Sequence, residues 1–192
     1  QRSLRIKMDF EKIIEAHKTA VDGVKDTCME ALQQMADICR ETIRNGHKVL
    51  FCGNGGSAAD SQHLAAEFVG RFVKERHGIP AIALTTDTSI LTAVGNDYGY
   101  DDVFRRQVEA LGCEGVVLVG ISTSGNSKNV VKAFEQAKKQ GMKILALTGQ
   151  NESKMSEVAD ITIRVPSPIT ARVQECHIMI GHMICEYIDE DY

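Results

Sequence analysis

None of the chain's six cysteines belongs to a C-x-x-C pair. Cys28, Cys39, Cys52, Cys113, Cys176 and Cys185 sit mostly inside apolar segments, so they read as buried thiols in a reducing, cytoplasmic setting. No apolar run approaches the length of a bilayer: the longest lies near Val116 to Ile121, and no membrane partner is expected. An apolar secretory core is also missing from the opening residues, so no signal segment is expected. There is no Lys/Arg block and the formal net charge is −4, which argues against a protein that coats nucleic acid. Small anionic ligands stay open, because backbone N–H groups bind phosphate without net positive charge. Internal repeats, low-complexity stretches and long linkers are all absent. The 192 residues fit one domain spanning 1–192, with a helical segment over 1–46 and an α/β core over 47–192.

What is present is an alternating pattern. Phe10, Ile13, Ile14, His17, Val21 and Val24 recur at helical spacing, as do Cys28, Leu32, Met35, Cys39 and Ile43. Thr27 and Glu30 match a capping box for the second helix, and Gly46 ends it. Strands are expected over Val49–Cys52, Ala81–Leu84, Val116–Ile121, Ile144–Leu147 and Ile161–Val165, the last half-exposed. Helices are expected over Ala58–Phe72, Thr88–Asn96, Asp102–Leu111, from Ser127 to about Lys139, and over Thr170–Ile188. Short continuous apolar strands alternating with helices indicate an α/β fold in three layers, a mostly parallel central sheet covered on both faces.

Two loops stand out. Gly53-Asn54-Gly55-Gly56-Ser57 joins a strand to a helix, at the carboxyl end of the sheet where ligands bind in this architecture. Glycines let the backbone approach a ligand, and the helix N-terminus favours an anion. The pattern is neither G-x-G-x-x-G nor Walker A, which disfavours a dinucleotide or a nucleoside triphosphate. Ser122-Thr123-Ser124-Gly125-Asn126-Ser127 occupies the same position after another strand and gathers four hydroxyls at a helix start. Capping a helix takes only one hydroxyl, so the pair of loops points to a phosphorylated ligand.

His63 and Glu67 stand i and i+4, on one helix face, and resemble half of a metal site. On the last helix Gln174, His177 and His182 lie among apolar residues. A carboxylate and an imidazole suit aldose–ketose isomerisation, which needs a base for a carbon-bound proton and an acid for the enediolate oxygen.

Taken in order, Gly53-Asn54-Gly55-Gly56-Ser57-Ala58-Ala59-Asp60, His63-x-x-x-Glu67, Val94-Gly95-Asn96-Asp97, Ile121 through Ser127, and Arg172-Val173-Gln174-Glu175-x-His177 resemble the phosphoheptose isomerase family, over nearly the whole chain from Phe10. The resemblance implies a SIS fold and a homotetramer with active sites at subunit interfaces. It implies substrate binding by Asn54, Gly55, Gly56, Ser57, Glu67, Asn96, Asp97, Ser122, Thr123, Ser124, Ser127 and Gln174. It further implies one zinc per subunit on His63, Glu67, Gln174 and His182, with Glu67 and His182 as the acid–base pair. The substrate would be sedoheptulose 7-phosphate, feeding heptose into bacterial surface polysaccharide such as lipopolysaccharide or capsule. The DnaA initiator-associating protein, a non-enzymatic SIS-fold tetramer, shares the loops but not the acid–base pair, so it is the second choice.

Two segments depart from the family pattern. Gly149-Gln150-Asn151-Glu152 lacks a glycine-rich run, and Pro166-Ser167-Pro168-Ile169 could adjust substrate entry. The ligand spacing is awkward as well. Gln174 and His182 are about 12 Å apart along a helix, which two zinc bonds of about 2 Å hardly bridge. Either both side chains stretch toward each other, or His182 serves a neighbouring subunit, and the second is favoured.

Overall fold

The computed structural model describes residues 8–192, so the first seven residues of the expected helical segment lie outside the described residues. Strands β1 (Val49–Gly53), β2 (Ala81–Ala83), β3 (Val117–Ile121), β4 (Lys143–Thr148) and β5 (Ile161–Arg164) form a five-stranded sheet in the order β2-β1-β3-β4-β5, every pair parallel. All residues of β1 and β3 are buried, as strands covered on both faces require. β5, at the edge, alternates around buried Ile163.

Alternate strand residues feed two cores. Val49, Phe51, Val117 and Val119 meet α1 (Phe10–Thr27), α2 (Met29–Arg44), α3 (Gly56–Val69) and, after the last strand, α8 (Thr170–Asp189). Leu50, Cys52 and Leu118 meet α5 (Val103–Leu111), α6 (Lys128–Lys139) and α7 (Lys154–Val158) on the other face, with Leu91 and Val94 of α4 (Thr88–Tyr98) at its margin. No residue of α4 is buried. The three layers anticipated from the sequence are therefore present.

Three local expectations need correction. Thr27 is no N-cap. Cys28 stays in the αR region and keeps its N–H on Val24, so Thr27 remains helical and its hydroxyl donates back to the Gly23 carbonyl. α3 starts two residues before the expected Ala58 and stops at Val69, because Gly70 leaves helical geometry. The short α7 was not anticipated, although its Ser153/Ser156 capping box is a local signal.

One buried polar group ties α8 to the sheet. His177 is fully buried, and its Nε2 donates to the Thr148 carbonyl at 2.9 Å, at the end of β4. Nδ1 therefore carries a lone pair, and it has no partner among the described residues. Burial holds the imidazole neutral and pushes its pKa down to about 4, against the smaller upward pull of the Thr148 carbonyl.

A histidine with a depressed folded pKa binds fewer protons than the unfolded chain, so stability is full above the unfolded value and falls as pH drops toward the folded one. His177 should thus remove up to about 3 kcal/mol between roughly pH 6.5 and 4. Urea unfolding of wild type and His177→Gln across that range checks this. The variant should show the shallower decline, and parallel curves would refute it.

Candidate active site

β1 and β3 are neighbours, and Gly53 pairs with Ile121 at their carboxyl ends. Strand order reverses between them, so the loops that follow lie side by side at the switch point of the sheet. A Cβ on Gly53 would meet the Ile121 carbonyl oxygen and Ser57 Cβ, each at 2.8 Å, which fixes glycine where the two loops begin. Asn54 and Asn129, the second residue of α6, exchange reciprocal amide hydrogen bonds of 2.8 Å that lock one loop to the other.

Both helices that start here lack a side-chain cap. Gly55, at φ 55°, is the N-cap of α3, and Ser127 is the N-cap of α6 without using its hydroxyl for that purpose. Ser127 Oγ lies 2.9 Å from Ser122 Oγ, which also accepts the Gly125 N–H at 3.2 Å. The serines therefore build the loop and leave the positive end of α6 without a side-chain cap, an arrangement that suits an anion. Ser124 is exposed, and with Thr123 it lines a cavity of about 110 Å³. Gln150, Asn151, Ser167 and Pro168 line the same cavity, so both segments that depart from the family pattern face the second loop. Gly55 and Gly56 are exposed, whereas Ser57 is buried beneath its loop. Asn96 and Asp97 end α4, exposed and hydrogen-bonded to each other at 2.9 Å; neither bonds to the loops among the described residues.

The acid–base residues stand on α3 and α8. A Cβ on Gly56 would lie 2.8 Å from Gln174 Nε2, one on Gly181 would lie 2.4 Å from Leu64, and His63 Nε2 lies 2.9 Å from His182 Nε2. The nearly constant offset between these partners means that the two helices run parallel, side by side. His63 Nε2 is 3.9 Å from Glu67 Oε1, and the ligand atoms of His63, Glu67 and His182 all lie within 4.8 Å of one another. Two imidazole nitrogens and a carboxylate in that compass suit zinc, whose tetrahedral ligand atoms stand about 3.3 Å apart for bonds near 2 Å.

This geometry corrects the spacing argument at His182. His182 meets His63 of its own chain rather than being turned to a neighbour. Gln174 sits beside Gly56, about 10 Å up α3 from His63 along the helix axis. Gln174 is held there by flanking residues. Arg172 donates to Glu175 at 2.7 and 2.6 Å, Glu175 reaches His17 on α1 at 2.7 Å, and His177 anchors to β4. The Arg172 hydrogen bonds hold the Glu175 carboxyl below its usual range.

Asn129 and Phe72 escaped the sequence reading. The Phe72 ring stacks on His182, with centroids 5.4 Å apart and planes at 27°. The sequence reading placed Phe72 at the end of the expected helix, whereas it lies in the irregular segment after Val69. A larger groove of about 730 Å³, lined by Asp37, Glu41, His47 and Lys143 among others, touches none of the loops described.

The SIS domain family pattern matches residues 13–149. A phosphoheptose isomerase from Aliarcobacter butzleri is 55% identical over 92% of this chain and 93% of its own length. Solved phosphoheptose isomerases from Neisseria gonorrhoeae and Francisella tularensis are 45% and 39% identical. They superpose with TM-scores of 0.87 and 0.91, over 95% and 94% of this chain and 100% and 96% of theirs. By pattern, identity and structure alike, the chain belongs to the phosphoheptose isomerase family of SIS-domain proteins.

Proposed function

We propose that the chain isomerises sedoheptulose 7-phosphate to D-glycero-D-manno-heptose 7-phosphate through an enediolate. The observation that carries this is the meeting of His63, Glu67 and His182 on the same α3–α8 seam whose upper end opens at the uncapped loops. The phosphate sits at the helix starts of Gly55-Gly56 and Ser122–Ser127, and the carbonyl end extends toward the cluster. Glu67 takes the proton from C1, the C–H electrons form the C1–C2 double bond, and the C2 oxygen gains a proton from His182. Return of a proton to C2, with loss of the O1 proton to the imidazole, leaves the aldehyde at C1. The encounter of Glu67 with His182 also supports an enzyme over the initiator-binding reading.

His63, Glu67 and His182 would hold one zinc per subunit, with a position left open. Zinc bound there supplies a Lewis acid for the substrate oxygens. Gln174 would complete the ligand set, in a homotetramer with interfacial sites. The unburied helix α4 and the exposed Phe10 and Ile14 of α1 support such an assembly. We assign residues 1–192 to one SIS domain and place the protein in the cytoplasm, supplying surface polysaccharide. Among the described residues no helix is long and apolar enough to cross a membrane.

Incubation with sedoheptulose 7-phosphate should yield the aldose by NMR, and its absence would sink the proposal. Glu67→Gln keeps size and polarity but removes the base, so turnover should fall by about 10² or more with the fold intact. Ser124→Asp sets a like charge against the phosphate and should abolish binding of sedoheptulose 7-phosphate in calorimetry; retained affinity would place the phosphate elsewhere. Glu67→Gln and His182→Ala chains, dissociated and reassembled together, should regain no activity, because both residues of each cluster come from one chain. Recovered turnover would show that they come from different chains.

A further inference from the structure

We infer that Arg76, held by Asp189, is a positioning residue for Glu67 and His182; this rests on the acid–base reading of that pair. Arg76 lies in the irregular segment between α3 and β2, and Asp189 is the last residue of α8. Their side chains are 2% and 1% exposed, and Arg76 Nε donates to Asp189 Oδ1 at 2.7 Å. The remaining guanidinium nitrogens turn to the end of α3. One donates to the Glu67 carbonyl at 3.0 Å and the other to the Phe68 carbonyl at 2.9 Å. A helix leaves its last carbonyls unsatisfied and negative, and a guanidinium is both fork and countercharge for them. Arg76 thus fixes the backbone of Glu67 itself.

The other carboxylate oxygen of Asp189 accepts the Val73 and Lys74 N–H groups at 2.8 and 2.9 Å. Those bonds pin the chain just after Phe72, whose ring stacks on His182. One ion pair therefore sets the end of α3 that bears Glu67 and the segment that covers His182, and it does so from the terminus of the helix carrying His182. A buried ion pair adds little net stability over apolar residues of the same volume, but its directional bonds define geometry. The phosphate loops lie at the opposite end of α3, so substrate affinity is not set by this clamp.

The test is Arg76→Lys, which keeps the charge but cannot bond both carbonyls and Asp189 with the same fork. With circular dichroism unchanged, kcat should fall by about 10-fold or more while KM for sedoheptulose 7-phosphate shifts by less than about 3-fold, as misplaced reacting groups require. In the metal-free protein, the NMR signals of the His182 ring should lose the ring-current shift from Phe72. Asp189→Asn, which retains an acceptor for the two N–H groups, should give the same signature more mildly. A folded Arg76→Lys protein with kcat within two-fold of wild type overturns the inference, as does an unmoved His182 signal. A KM rise that matches the kcat loss overturns it too, and so does unfolding of both variants, which would make the pair a determinant of the fold alone. Glu67→Gln in the same assay separates the two readings. If that variant turns over normally, the acid–base assignment fails, while the His182 signal still reports the clamp.

Discussion

The close approach of α3 and α8 is the constraint on which the site depends. Gly181 has no side chain where Leu64 crosses it, and a Cβ there would overlap the leucine. Helices packed at that distance in parallel keep one register along their length. The same register sets Gln174 against Gly56 at one end and His182 against His63 two turns further on. A bulkier residue at position 181 would push the helices apart and separate the two imidazoles. The cluster is thus a product of helix packing more than of any local motif.

The sheet contributes the other half. Parallel pairing of β1 with β3 brings two loops together that are about seventy residues apart in the chain, as the Asn54–Asn129 amide pair records. Both loops run into helix starts left without side-chain caps, so two partial positive charges converge on one region. Such helix starts suit an anion although neither loop holds a lysine or arginine, which reconciles the net charge of −4 with a phosphorylated substrate.

Buried polar groups then hold these parts in place. His177 fastens the start of α8 to the end of β4, and Arg76 with Asp189 fastens its last residue to the end of α3. Each group is costly to bury, and each is directional. Together they fix α8 at two points, one between Gln174 and His182 and one beyond His182. The Arg172–Glu175–His17 network adds a third tie, to α1.

The sequence alone determined the three-layer α/β fold, because apolar runs of strand length alternating with amphipathic helices admit few other arrangements. It also exposed both loops, whose glycines and hydroxyls are clustered locally, and the His63/Glu67 pair, whose spacing is a helical period. It misjudged Thr27, since a capping pattern does not reveal that Cys28 keeps helical geometry. Tertiary structure decided which distant residues meet. That His182 joins His63 in one chain, while Gln174 stays at Gly56, follows from the register of two helices more than a hundred residues apart in sequence. Asn129, Phe72 and Arg76 could not be read beforehand for the same reason: each acts through a partner that the fold, and not its neighbours in sequence, brings into contact.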